Sequence, residues 1–179
     1  IGSIMASVDE TYVIDSEFAF FGPMGFDVGA LIGNLYMSYF SHADENHLTA
    51  EASQAYRVWL LDTISQIWHQ FAEQFTTLWL KHEADSDSQQ WQYDGGLDDL
   101  KAYIDTYMAG LLADTIGFAA CKMMRRVVGL AKGADFADFE DLAARASIET
   151  NIINMATQMV VKRDQFNSID ELNELARNA

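Results

Sequence analysis

Two acidic side chains, Asp15 and Glu17, flank Ser16 just after a run rich in strand formers, Thr11-Tyr12-Val13-Ile14. In extended backbone, side chains at i and i+2 face the same way, roughly 7 Å apart at Cα. Two carboxylates placed like this concentrate negative charge, and a hard cation that prefers oxygen ligands relieves it. Magnesium takes one or two carboxylates and fills its other positions with phosphate oxygens and water. The pattern therefore offers a nucleotide-phosphate site. A solvated loop carrying two acids is the alternative that the pair alone leaves open.

A second group carries the opposite charge. Lys122, Arg125 and Arg126 place three of the chain's 11 basic residues within five positions. On a helix Lys122 and Arg126 share a face, while Arg125 points about 100° from Arg126. Both arginines reach one pocket only if it wraps the helix or its end. Such cations can neutralise charge that moves during phosphoryl transfer; equally, they can pair with acids of the surface. The histidines His42, His47, His69 and His82 lack metal-ligand spacing.

The elements that must position these groups are mostly helical. Residues 4–14 read as a β-hairpin with a polar tip at Ser7, Asp9 and Glu10. A loop with the only proline, Phe20-Phe21-Gly22-Pro23-Met24-Gly25, follows. Asp27 is placed to cap a helix through Phe40, with Val28, Leu31, Ile32 and Leu35 at helical spacing. Thr49 opens a long helical pattern to about His82, with apolar residues every three or four positions. Residues 83–96 read as an acidic loop. A second long helix is expected over 97–131, where Gly110 and Gly117 mark breaks or close helix contacts. Asp138 can cap a helix to about Lys162, and Ser168-Ile169-Asp170-Glu171 reads as a capping box. Trp59, Trp68, Phe75 and Trp79 follow helical spacing and are expected in the core or a helix interface, with Cys121 packed in an apolar helix. Trp91, in the acidic loop, could instead meet a partner. The expected architecture is mainly α, one small hairpin followed by a helical bundle, in a single unit spanning 1–179.

Composition bounds the partners. The net charge is −16, from 27 acidic and 11 basic residues, so nucleic acid and anionic membranes are disfavoured. No apolar run approaches the roughly 20 residues of a membrane span. The lone Cys121 excludes an internal disulfide framework and fits a reducing cytosol, so a cytoplasmic location is expected.

Two runs carry a resemblance. Val13-Ile14-Asp15-Ser16-Glu17-Phe18-Ala19-Phe20-Phe21-Gly22-Pro23-Met24-Gly25-Phe26-Asp27-Val28-Gly29 resembles the metal-binding segment of 5-methylthioribose kinases. These belong to the protein-kinase-like superfamily, with the aminoglycoside and choline kinases. Far downstream, the run from Gly117 to Ala131, with Lys122-Met123-Met124-Arg125-Arg126 inside it, resembles the same family's twin-arginine segment. Gly2 and Ser3 match the last two residues of the family's catalytic loop, whereas Ile1 stands where threonine is expected.

The resemblance implies a protein-kinase-like C-terminal lobe that uses ATP and magnesium to phosphorylate the 1-hydroxyl of 5-methylthioribose in methionine salvage. By that resemblance Asp15 and Glu17 are metal ligands and Ser3 a third, weaker one. Arg125 and Arg126 lie near the sugar and the transferred phosphoryl group. Asp27 braces the active-site loops, its other reading being a plain helix cap. The catalytic aspartate is expected upstream of Ile1 and the nucleotide-covering lobe elsewhere in a longer chain, so the 179 residues alone are expected to be inactive. A homodimer is also implied. The alternatives are another small-molecule kinase of the superfamily or a non-catalytic acidic helical module that binds proteins.

Overall fold

The computed structural model describes residues 4–15, 20–43, 49–86, 90–129, 139 and 141–179. Strands β1 (Ile4–Ala6) and β2 (Thr11–Val13) pair antiparallel, Ile4 opposite Val13 and Ala6 opposite Thr11. Ser7 sets the turn. Its hydroxyl accepts from the Glu10 amide at 3.0 Å, and its own amide donates to the Glu10 carbonyl at 2.7 Å. The expected hairpin is present, with every strand residue exposed.

Among the described residues five helices follow: α1 (Gly25–Ser41), α2 (Ala50–Asp85), α3 (Gly96–Val128), α4 (Leu142–Lys162) and α5 (Ile169–Arg177), with a 3-10 turn at Arg163–Gln165 between the last two. Three caps explain where helices start. The Thr49 hydroxyl accepts from the Ala52 amide at 3.3 Å. The Ser168 hydroxyl accepts from the Glu171 amide at 3.3 Å, and Glu171 reaches back to the Asn167 amide at 3.0 Å. Asp141 accepts from the amides of Ala143 and Ala144 and caps α4; the expected cap, Asp138, lies outside the described residues.

Several boundaries and burials differ from the sequence reading. Helix α1 starts at Gly25 with Met24 as its uncapped N-cap, so Asp27 sits inside the first turn instead of capping it. Helix α2 runs to Asp85, because Glu83 and its neighbours extend an exposed helical end as readily as they form a loop. Helix α3 passes through Gly110 and Gly117 without a break. A Cβ at Gly110 would meet nothing within 4 Å, and at Gly117 only the Arg163 side chain at 3.7 Å. Neither glycine is a close helix contact. Cys121 and Trp59 are exposed, since both lie on the outer faces of their helices, whereas Trp68 is buried.

The close contacts belong to glycines of α1. Gly25, Gly29 and Gly33 lie four apart and face Thr115 and Ala119 of α3, and the two helices run parallel along this seam. The core forms around it from Ile32, Tyr36, Ile116, Met123, Ile152 and Met155, all essentially inaccessible. Burial of this kind stabilises by about 1.5–3 kcal/mol per large side chain. A buried polar node docks α5: the Tyr36 hydroxyl donates to Asn173 Oδ1 at 2.8 Å, and Asn173 Nδ2 donates to the Leu61 carbonyl at 3.0 Å and to Ser65 Oγ at 2.8 Å.

Candidate functional site

Asp15 stands two residues beyond β2, exposed to solvent. Its φ is 65°, and among the described residues it is the one non-glycine residue with positive φ. Aspartate enters this left-handed region more readily than most side chains, and departures of this kind concentrate where a chain serves a site. The same angle corrects an expectation: the backbone is not extended at Asp15, so strand geometry does not place its carboxylate beside that of Glu17. Glu17 and Ser3 lie outside the described residues.

The turn from Phe20 into α1 is tied to α3 by aromatic edges. Phe20 meets Phe26 edge-on at 6.1 Å between centroids, and Phe26 meets Phe118 edge-on at 5.4 Å. The Phe26 amide donates to the Pro23 carbonyl at 3.0 Å, which closes the turn into α1. Sequence reasoning missed this anchor; its signal was a phenylalanine at the start of α1 and another inside the twin-arginine run. Asp27, exposed in the first turn of α1, puts its negative charge at the positive end of the helix dipole.

The basic cluster is real as a cluster. Arg125 and Arg126 occupy the last turn of α3, where cations suit the dipole, and Lys122 lies one turn earlier. Burial holds the Lys122 ammonium below its usual 10.5, and the charges of Arg126 and Arg125 push it the same way. Three positive charges thus lie near one another at the end of α3, with Lys122 partly buried.

Two clefts border α3. One, of about 380 Å³, opens where Pro23 and Met24 meet Tyr107, Leu111 and Asp114. The other, about 280 Å³, shares Asp114 and is lined by Gly117, Phe118, Cys121, Val160 and Arg163. Asp15, Arg125 and Arg126 line neither of these two clefts. The described residues therefore bring the basic side chains together, and tie the turn at Phe20–Phe26 to the same helix, without joining Asp15 and the basic group in either of these clefts. Among the described residues no three His, Cys, Asp or Glu side chains are grouped to hold a metal. One exposed carboxylate still fits a magnesium ion that arrives on a nucleotide, since phosphates and water supply most of its ligands.

No family model matches the chain. Curated relatives do. Methylthioribose kinase 2 of Oryza sativa subsp. japonica is 41% identical over 174 residues, which is 95% of this chain and 40% of that protein. The chain is a relative of the methylthioribose kinases. Methylthioribose kinase from Escherichia coli O45:K1 (strain S88 / ExPEC) is 36% identical over 98% of the chain, and that from Geobacillus thermodenitrificans (strain NG80-2) is 32% identical over 97%. The chain spans about 40% of the length of these methylthioribose kinases. The match runs through both the Asp15 segment and the arginine segment, as the two motif runs led one to expect.

Proposed function

We propose that these residues form the C-terminal lobe of an ATP-dependent kinase that phosphorylates the 1-hydroxyl of 5-methylthioribose. The observation that carries this reading is 41% identity over 95% of the chain to a methylthioribose kinase. Asp15 holds magnesium through its carboxylate, with Glu17 and Ser3 as further ligands. The metal, when bound, neutralises the terminal phosphates of the nucleotide. Arg125 and Arg126 receive the sugar and the transferred phosphoryl group, and Lys122 adds positive charge behind them. Phosphoryl transfer is mainly positioning and charge stabilisation, which is what such a cluster supplies. Asp27 braces the loop between β2 and α1. The family's aspartate base is assigned to another part of the enzyme, so the 179 residues alone are expected to show no turnover. The reading includes a cytoplasmic homodimer.

In the full-length enzyme, Asp15→Ala is expected to lower kcat by about 10³-fold or more with the circular dichroism spectrum unchanged. Wild-type turnover in that variant would defeat the metal assignment. A substrate panel separates the rival small-molecule kinases: three clustered cations disfavour an aminoglycoside or amino alcohol. If the full-length protein binds no magnesium–nucleotide analogue, the non-catalytic reading replaces this one.

A further inference from the structure

We propose that the cleft between α3 and the end of α4 binds a free α-amino acid with an apolar side chain: Asp114 takes the ammonium, Arg163 the carboxylate, and Phe118, Val160 and Cys121 the side chain. Neither Asp15 nor the two arginines in the last turn of α3 line this cleft, and the proposal does not depend on the kinase reading.

The cleft follows from helix spacing. Asp114, Gly117, Phe118 and Cys121 stand at i, i+3, i+4 and i+7, so they form one stripe along α3. Val160, in the last turn of α4, and Arg163, in the 3-10 turn after it, supply the facing wall. Gly117 leaves the middle of the stripe bare. The Arg163 side chain lies over it, with Cδ 3.7 Å and Nη1 3.8 Å from where a Cβ would stand. The space is about 280 Å³ and its wall is mostly apolar. Clefts for drug-sized ligands start at about 300 Å³, so this one suits a molecule of amino-acid size.

Asp114 is half-buried, and among the described residues its carboxylate has neither a hydrogen bond nor an ion pair. A carboxylate drawn partly out of water without a donor is a cost, and a ligand ammonium removes it. Arg163 lines the same cleft but does not pair with Asp114. Its Nε lies 3.5 Å from Asp164 instead, in a pair whose members are 49% and 75% exposed and which holds the guanidinium weakly. A ligand carboxylate can engage that guanidinium through two parallel N–H bonds. One negative and one positive group thus line a single small apolar space without neutralising each other. A molecule that carries an ammonium and a carboxylate on one carbon satisfies both, and an apolar side chain fills the rest against Phe118 and Val160. A simple amine or a simple carboxylate satisfies only one of them.

The test uses the 179-residue chain, whose single cysteine lines the cleft. Cys121 is exposed, so the ratio of its alkylation rates by iodoacetamide without and with ligand reads occupancy directly. The probes are L-leucine, L-methionine and L-phenylalanine, with isopentylamine and isocaproate as controls that carry one charge each. At least one amino acid is expected to slow alkylation about fivefold or more, with half-protection at about 1 mM or below. Each control should need about tenfold more, and Asp114→Asn and Arg163→Gln should each weaken protection about tenfold. Arg163 is exposed in a surface turn, so Arg163→Gln is expected to leave the melting temperature unchanged. No protection by any of the three amino acids at about 10 mM, some tenfold above the expected half-point, overturns the proposal. So does protection by either control equal to that by the amino acids, since the site would then read one charge alone. Protection that survives Arg163→Gln overturns it too, because the carboxylate would not be held where the cleft places it.

Discussion

Helix α3 meets its two long neighbours in opposite ways. Against α1 it is in backbone contact, through glycines that leave no room for a side chain. Against the far half of α2 it is held off by rings: Phe75 stacks on Tyr107 at 6.0 Å, and Trp79 meets Tyr103 and Tyr107 edge-on at 5.8 and 5.1 Å. The first contact is all steric and fixes one spacing. The second is a set of edge and stacking contacts with partly exposed rings, and it tolerates rearrangement. Arg125 and Arg126 lie further along α3, beyond the rigid contact and on the same helix.

The comparison can be broken first at the seam. Gly33→Leu would drive a side chain into the Ala119 backbone, and a loss of about 3 kcal/mol or more in denaturant unfolding is expected. A loss under about 1 kcal/mol would show that the seam yields. Trp79→Ala on the ring-filled side should cost less, about 1–2 kcal/mol. Amide exchange should then quicken in the far end of α2 and the start of α3 and stay slow along α1. Equal quickening at both would erase the distinction.

The node that docks α5 should respond to pH from both ends. The Ser65 hydroxyl, donating at 2.5 Å, is the main cause that holds the Asp170 carboxyl below its usual 3.8, and His69 at 3.2 Å adds to it. A depressed carboxylate contributes stability above the unfolded value, and this is lost as pH falls below about 3.8 and through the folded value. Burial pushes the Tyr36 phenol well above 10.0, so its contribution is complete below that pH and falls away as pH rises beyond it. Melting temperature against pH should therefore drop at both extremes, and Asp170→Asn should flatten chiefly the acid limb, with a smaller effect at the alkaline end, where the Asp170 charge adds to burial in raising Tyr36. The smallest effect is expected at Gly110, which faces open space within a helix. Gly110→Ala should gain about 0.5–1 kcal/mol in chemical denaturation.

Much of the fold was legible because local signals agreed with it. Thr49 and Ser168 marked helix starts as residues whose hydroxyls bond the first-turn amides, and β-branched residues around a polar tip marked the hairpin. Asp27 misled because an acid suits the first turn as well as the cap. Gly110 and Gly117 misled because a glycine does not reveal whether it is needed for closeness.

By itself the sequence determined the helical periods, the caps at Thr49 and Ser168, the clustering of three cations near the end of one helix, and the two motif runs that resemble those of the methylthioribose kinases. Those are properties of neighbours along the chain. Only the tertiary structure decided that the glycines of α1 are the ones in backbone contact, that Asp15 turns into left-handed backbone at the strand's end, and that Thr115 carries an unpaired hydroxyl beneath α1. Contact between residues many turns apart depends on how whole helices pack, and no local pattern encodes which small residue a neighbouring backbone will approach.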